Sequence, residues 1–381
     1  MSQQPFGDIP LFRELQRILA AGEGGPINFE IARQIAGTIA TQEPDPMPSD
    51  EAGRALADGV RGAEVLLSGY TRLPLAEPLR TRTMGRATWV LAALDGWKWL
   101  LQALAKRFTD GFVQPGRDPA AGDPDPLSQM MGQVAPLLLG IQSGTVVGHL
   151  AADALARHDP PIPMEDDGAL FFVTPNLEGA ASEYDLDLVA LHGWISLHEA
   201  ARQVIVEATP WAGRYFRSLL LGLVESIEID TGDMERRLMD LQSGGAEALT
   251  AGAGMEQLIP IAETERYRRA LGDLRSFLAI FEGYAEHAVA AVKPQLLGDT
   301  GQIDEAMTRR RVTPTEGKQM LASVIGIERD RALESAGRTF CAAVVDRKGM
   351  AALNEVWAAP DNLPNLTEIK DPFVWMERVL P

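Results

Sequence analysis

The amino-acid sequence predicts a mostly α-helical fold with a minor strand component, on two observations. Over most of the chain, apolar residues recur every three or four positions, which is the spacing of a helix with one buried face. One short run, ALFFVT at 169–174, is instead continuously apolar and aromatic, and Pro175 closes it, which is typical of a strand. With 381 residues, 46% of them hydrophobic, the chain is long and apolar enough to bury a large core.

The first fifty residues predict short amphipathic helices at 10–20 and 28–40, followed by the proline-rich sequence EPDPMPSD. The helical pattern then strengthens through EAGRALADGVRGAEVLLSGY and TWVLAALDGWKWLLQALAKRF. We therefore expect an N-terminal helical segment and linker at 1–50. The rest of the chain, 51–381, is predicted to be a helical domain, either as one body or as two lobes at 51–165 and 166–381.

The segment 126–152 carries no ionised side chain and is long enough to cross a bilayer. Scattered glutamines, Pro136 and the flanking acidic residues Asp125 and Asp153 argue against a membrane span, because spans are flanked by basic residues. We therefore expect a buried core helix. Its glycines recur every four residues, which predicts a strip where another helix backbone packs closely, at Gly140, Gly144 and Gly148.

Further helices are expected at 187–208, 211–224 and 263–292, with Pro210 separating the first two. The strand at 169–174 precedes them and is expected at a sheet edge or in isolation. Beyond residue 315, two or three more helices are predicted, with a tail that contains DNLPN.

The chain carries 53 acidic and 35 basic side chains, which gives a net charge of −18. Such a field repels phosphate groups, so neither nucleic acid nor a membrane is an expected partner. A single cysteine, Cys341, excludes an intramolecular disulfide and is expected to be a small buried residue. The first ten residues also lack the pattern of a secretory signal, so we expect a cytoplasmic protein.

Several common catalytic motifs are missing, since the sequence has no GxSxG, GxxxxGK[ST], GxGxxG or CxxC. The segment LHGWISLHEAARQ instead contains His198 and Glu199, which begin the pattern HExxH of zinc peptidases. That pattern places two histidines on one helix face around a zinc ion, while the glutamate polarises a metal-bound water. Here the fifth position is Arg202.

The surroundings of Arg202 predict that its side chain is buried. Five residues form one stripe at helical spacing: Leu191, Ile195, His198, Arg202 and Ile205. A buried arginine needs an anionic partner. A second candidate segment is FEGYAEHA, where Glu282 lies at the edge of the apolar face of the helix at 263–292 with Glu286 one turn further on, as expected for a third zinc ligand from a later helix.

These residues, with motifs spread over nearly the whole chain, resemble the zincin-like metallopeptidase type 2 family of bacterial proteins, often labelled as hydrolases. The similar segments are FGDIPLFRELQRIL, GGPINFEIARQIA, LLLGIQSGTVVGHLA, FFVTPNL, LHEAARQ, PWAGRYFRSLL, FEGYAEHA and FCAAVVDRKGMAALNEVWAAPDNLPNLTEIKDPFVWMERV. The resemblance implies a zincin-like fold. It also implies that His198 corresponds to the first zinc ligand, Glu199 to the general base and Glu282 to the third ligand.

In the same comparison Arg202 corresponds to the second histidine, which implies a degenerate zinc site. A guanidinium stays protonated and offers no lone pair to a metal. A fixed cation about 4 Å from a divalent ion opposes it by about 8 kcal/mol at an effective dielectric of 20. We therefore predict that Arg202 takes the structural place of the metal and bridges its helix to Glu282.

Three functions remain open at this point. The first is an inactive metallopeptidase-like protein without a cofactor, which acts as a scaffold or binds a protein or peptide in the former substrate cleft. The alternative is an active zinc-dependent peptidase or other hydrolase, with His198, Glu282 and a carboxylate such as Glu286 as ligands and Glu199 as base. A small metabolite in the cleft is the third.

Each candidate residue also has an ordinary structural interpretation. His198 suits a core histidine, Glu199 a plain helix glutamate, and Glu282 an ion pair with an arginine. His192 lies about 120° around the helix from His198, and His287 lies five positions past Glu282, so neither is expected to complete a metal site. Structural or exposed positions are expected for His149 and His158, and packing roles for Trp194, Trp211 and Tyr284.

Overall fold

The computed structural model describes residues 25–112, 126–228, 261–313, 315–325 and 331–380. The helix predicted at 10–20 lies outside the described residues. Within these ranges the fold is mostly α-helical, and its β-structure consists of two short strands. The predicted fold class is therefore confirmed.

The first part of the described chain forms five helices and one strand. Asn28 and Ser49 cap the first two helices, because their side chains accept hydrogen bonds from the backbone N–H groups of Ile31 and Ala52, each at 3.1 Å. The elements are α1 (Phe29–Ala40), α2 (Asp50–Thr71), β1 (Thr81–Met84), α3 (Arg86–Gly96), α4 (Lys98–Phe112) and α5 (Pro126–Asp153).

The middle part carries the HEAAR motif on one long helix. Its elements are β2 (Leu170–Val173), α6 (Thr174–Glu183), α7 (Leu188–Ala208) and α8 (Ala212–Ser226). Asp187 caps α7 by accepting a hydrogen bond of 2.9 Å from the backbone of Ala190. Pro210 follows its end and cannot continue the helix. The predicted bounds of 187–208 and 211–224 are therefore correct to within two residues.

The last part begins with the longest helix and continues with more short helices than the sequence predicted. Its elements are α9 (Glu265–Leu296), α10 (Gly301–Val312), α11 (Glu316–Ile325), α12 (Arg331–Lys348), α13 (Met350–Asn354), α14 (Leu366–Lys370) and α15 (Pro372–Val379). Five of these follow residue 315 in the described chain, against two or three predicted. The two five-residue helices, α13 and α14, are too short to show a helical period of apolar residues.

The glycine strip of α5 packs against α1, as the sequence predicted. A Cβ added at Gly140 would come within 2.5 Å of the carbonyl oxygen of Asn28, and one at Gly144 within 2.6 Å of that of Ala32. Only glycine permits this approach of two helix backbones. The segment Val134–Asp153 of α5 is long and apolar enough to span a membrane, with 39% of its window buried, although a core helix meets the same criteria.

The strand predicted at 169–174 is buried and paired in a two-stranded sheet, so of the two expected positions it has the one at a sheet edge and not the isolated one. β2 pairs in parallel with β1, with Thr81 opposite Leu170 and Met84 opposite Val173. An antiparallel bridge joins Phe172 to Ala156. The sequence analysis missed β1 because TRTM is short, polar and barely periodic, and it forms a strand only through its partner.

One continuous hydrophobic cluster extends from Ala32 on α1 to Met376 on α15. The alanines on one face of α1 belong to it, so this helix is part of the core and not an appendage. The division of the chain at residue 50 and into lobes at 51–165 and 166–381 stays a prediction.

The motif helix is held between α2 and α9. Gly59 of α2 lies so close to α7 that an added Cβ would be 2.8 Å from the hydroxyl oxygen of Ser196. α9 is in turn fixed against α12, where a Cβ at Gly283 would be 2.5 Å from the backbone of Gly337. These close approaches determine where the side chains of α7 and α9 meet.

Candidate functional site

The HEAAR segment lies in the most buried part of α7. All residues from Leu191 to Ile205 except Gly193 are buried, so this helix has no solvent-exposed face along the motif. The charged and polar side chains of the motif, His198, Glu199 and Arg202, therefore need partners from other elements.

Arg202 forms a two-pronged salt bridge with Glu282 of α9. Its Nε donates to Oε1 at 3.0 Å and its Nη2 donates to Oε2 at 2.7 Å. The exposed fractions of the two residues are 7% and 8%. A bidentate pair of this kind fixes the geometry as well as the charge. The structure thus brings together the two side chains that the sequence analysis paired.

Glu199 is the second carboxylate beside Arg202 and is held from two sides. Its Oε1 lies 3.5 Å from Nη1 of Arg202. Its Oε2 accepts a hydrogen bond of 3.0 Å from the backbone N–H of His158 and lies 2.8 Å from Nδ1 of the same residue. Glu199 therefore joins the motif helix to the loop between α5 and β2.

His198 is fixed by stacking and not by a charged partner. Its ring stacks on that of Trp194, with centroids 3.8 Å apart. Its Nδ1 lies 3.9 Å from the nearer oxygen of Glu286, and its buried Nε2 has no hydrogen-bond partner in the described part of the chain. Burial first, and then the positive charges of Arg202 and Arg311, lower the pKa of His198 well below its usual value, so the imidazole is neutral.

The charge state of Arg202 is set by its carboxylate neighbours. Burial alone would lower the pKa of Arg202, but Glu282, Glu199 and Glu286 raise it above its usual value. Arg202 is therefore a permanent cation in this site at every accessible pH.

Glu286 completes the group together with Arg311 of α10, whose Nη1 donates to Oε1 at 2.9 Å. We call this set the motif cluster: Glu199, Arg202, Glu282, Glu286 and Arg311. It contains three carboxylates and two guanidinium groups. Counted over these five side chains, it has one more carboxylate than guanidinium group.

The donors of the motif cluster do not fit a zinc ion. Both oxygens of Glu282 already accept hydrogen bonds from Arg202, and Oε1 of Glu286 accepts one from Arg311. Nε2 of His198 is the one buried nitrogen of these motif residues without a hydrogen-bond partner in the described part of the chain. In that part of the chain, no three histidine, cysteine, aspartate or glutamate side chains converge on one point as zinc requires.

The other histidines lie away from the motif cluster, except for His158, which contacts Glu199. Nε2 of His287 lies 2.9 Å from the hydroxyl oxygen of Tyr70, and Nδ1 of His149 lies 3.4 Å from Oε2 of Glu316 on α11. His192 is buried, and its Nε2 has no partner in the described residues. Three other predicted packing residues are in the aromatic or buried core: Trp211, Tyr284 and Cys341.

His158 and Arg311 are the site residues that the sequence analysis missed. His158 was expected to be structural or exposed, but it is 12% exposed and contacts Glu199. It lies on a proline-rich loop, 41 residues before its partner, so no helical spacing links the two. Arg311 lies in the last turn of α10, a helix of low amphipathicity that has three consecutive arginines there. No sequence feature distinguishes Arg311 from the other two.

A cavity of about 320 Å³ adjoins the cluster on the side of His158. Phe281, which precedes Glu282, lines the same cavity, and its ring lies 6.2 Å from that of His158. A pocket of this volume is large enough for a small organic molecule.

Comparison with known proteins identifies the class of protein that this fold and motif define. The family description that matches the chain is zincin-like metallopeptidase, over residues 27–376. The chain belongs to this family. A crystal structure from Chloroflexus aurantiacus, described as "a putative hydrolase with a novel fold", matches with a TM-score of 0.66 and 24% sequence identity. The match covers 92% of this chain and 98% of that one, and it shows a shared fold. No curated protein matches the chain.

Proposed function

We propose that this member of the zincin-like family is a metal-free binding protein and not a peptidase. The observation that carries the proposal is the two-pronged pair between Arg202 and Glu282 at the position where HExxH would have its second histidine. The guanidinium joins α7 to α9, which is the structural task of a shared metal ion. It supplies no Lewis acid and activates no water.

The competing function is a zinc-dependent hydrolase that uses His198, Glu282, Glu286 and Glu199. One observation favours it, since the buried Nε2 of His198 lacks a partner in the described residues. The rest of the geometry weighs against it, because Arg202 and Arg311 hold the carboxylates that zinc would need. A neutral imidazole stacked on Trp194 is also a common form of buried histidine.

Chelation separates the two functions. In a metal-free protein the cation that joins α7 to α9 is built into the chain, so the melting temperature is expected to be the same with EDTA and with added zinc. A zinc enzyme would lose structural support when its metal is removed. A fall of several degrees with EDTA that zinc reverses would overturn the proposal. Calcium added after EDTA is the control for general ionic effects.

A binding role leaves the adjoining cavity as the place for a ligand. The cavity is formed by described residues of the loop before β2 and of α4, α7, α8 and α9. The absence of nucleic acid or membrane partners remains part of this proposal, and its support is the charge of −18. A cytoplasmic location also remains part of it, and its support is the single cysteine and the lack of a secretory-signal pattern in the first ten residues.

A further inference from the structure

The lining of the cavity beside His158 is apolar and aromatic on most of its surface. Six of its residues provide this surface: Trp99, Ile162, Met164, Phe216, Phe277 and Phe281. The rings of Phe216 and Phe277 are 5.0 Å apart, and those of Phe277 and Phe281 are stacked at 6.1 Å. Such a wall favours a flat or aliphatic ligand body over a strongly hydrated one.

Among the described residues, the charged side chains of the lining include one arginine without a counterion. Arg157 donates two hydrogen bonds of 2.7 Å to Asp166, and Arg217 pairs with Glu165. Arg214 is exposed and has no ion pair or hydrogen bond with any described residue. Arg214 therefore places at the edge of the aromatic cavity one cation that no described residue neutralises.

His158 adds a polar atom at the inner side. Its Nδ1 is used by Glu199, at 2.8 Å, which leaves Nε2 as the remaining polar atom of the ring. This arrangement orients the imidazole in the way that a carboxylate orients a functional histidine. The cavity therefore combines an aromatic wall, one histidine and one cationic edge.

We propose that this cavity binds a small organic anion with an aromatic or aliphatic body, whose charged group contacts Arg214. Three features of the cavity set these properties: its volume of about 320 Å³ sets the ligand size, the aromatic wall sets the apolar body and Arg214 sets the sign of the charge. The inference deepens the binding role proposed above but does not depend on Arg202. Zinc in the protein would overturn the metal-free site, whereas the binding experiment below tests the cavity.

The test uses two fluorescent probes of similar shape, the sulfonate 1-anilinonaphthalene-8-sulfonate and the uncharged N-phenyl-1-naphthylamine. The full chain is expected to bind each at one saturable site. Arg214→Gln is expected to weaken the sulfonate about tenfold and to change the dissociation constant of the uncharged probe by less than about twofold. Arg54→Gln on α2, an exposed arginine away from the cavity, is the matched control and is expected to bind both probes as the unmodified chain does.

A second variant tests the place of binding. Gly213 lines the cavity and a Cβ there meets no atom within 4 Å, so Gly213→Leu adds bulk without a clash at its root. It is expected to weaken both probes more than tenfold. Gly222→Leu, on the same helix and with the same open space at Cβ, is its control. Unchanged sulfonate binding in Arg214→Gln, unchanged binding of both probes in Gly213→Leu, or no saturable binding by the unmodified chain would each overturn the proposal.

Discussion

The motif cluster and a second ion cluster of this fold are both largely buried, but only the second has equal numbers of acidic and of Lys or Arg side chains. The junction cluster consists of Asp153, Asp159, Arg310 and Lys318, and it joins the end of α5 to α10 and α11. Arg310 lies 2.5 Å from Asp153, and Lys318 lies 2.8 Å from Asp153 and 3.1 Å from Asp159. Two cationic side chains thus pair with two carboxylates.

The motif cluster has three carboxylates for two guanidinium groups, and its cation Arg202 contacts two of them. The stability of the two clusters therefore depends on different numbers of cations. The motif cluster depends on one residue, whereas the junction cluster shares its task between two cations.

The largest expected effect is the loss of that one residue. Arg202→Ala leaves Glu282 and Glu199 buried without their guanidinium, and it is expected to lower the free energy of unfolding by about 3–5 kcal/mol. Arg310→Ala is expected to cost less, because Lys318 still contacts Asp153. Urea unfolding at pH 7 measures both. Arg54→Ala on the surface is the control, and a loss in Arg202→Ala no larger than in this control would remove the bridging role.

A double-mutant cycle sharpens the assignment to the pair. Arg202→Met and Glu282→Met each leave a buried charge without its ion-pair partner, whereas the double variant replaces both charges by apolar groups. The double variant is expected to be more stable than the sum of the single effects by about 2 kcal/mol. Additive single effects, measured by the same urea unfolding, would mean that the pair is a contact without energetic coupling.

The smallest expected effect concerns the junction cluster in acid. Burial would raise the pKa of Asp159, but Lys318 and Arg310 lower it to about 2 from an ordinary 3.8. A lowered folded-state pKa means that Asp159 stabilises the fold above about pH 4 and that this contribution is lost as pH falls toward 2.

Lys318→Met is therefore expected to cost about 1.5 kcal/mol at pH 5, with a difference from the unmodified chain that narrows at pH 3. Urea unfolding at pH 5, 4 and 3 measures it, with Lys106→Met on the exposed side of α4 as the control. A difference that stays constant over this range would contradict the role of Asp159.

The sequence predicted the site residues of α7 and α9 but not Arg311 of α10. The spacing of α7 placed His198 and Arg202 on one buried face, and the apolar face of α9 placed Glu282 beside it, because helical periodicity reports directly on burial. The glycines of α5 likewise predicted a close helix contact.

The contacts that the sequence did not predict come from loops and from pairing in space. His158 reaches Glu199 from a loop, and β1 is a strand only because β2 lies beside it. Gly283 and Gly337, which bring α9 and α12 together, are 54 positions apart and share no periodic pattern. Long-range contacts of this kind depend on the whole fold and leave no local pattern.

The most direct test of the account is the zinc content of the unmodified chain and of Arg202→His, purified side by side and measured by atomic spectroscopy. Arg202→His restores the second imidazole of the motif and releases Glu282 from its guanidinium. The account predicts far less than one zinc ion per chain in the unmodified protein and a clear gain in the variant. One tightly bound zinc per chain in the unmodified protein would contradict it.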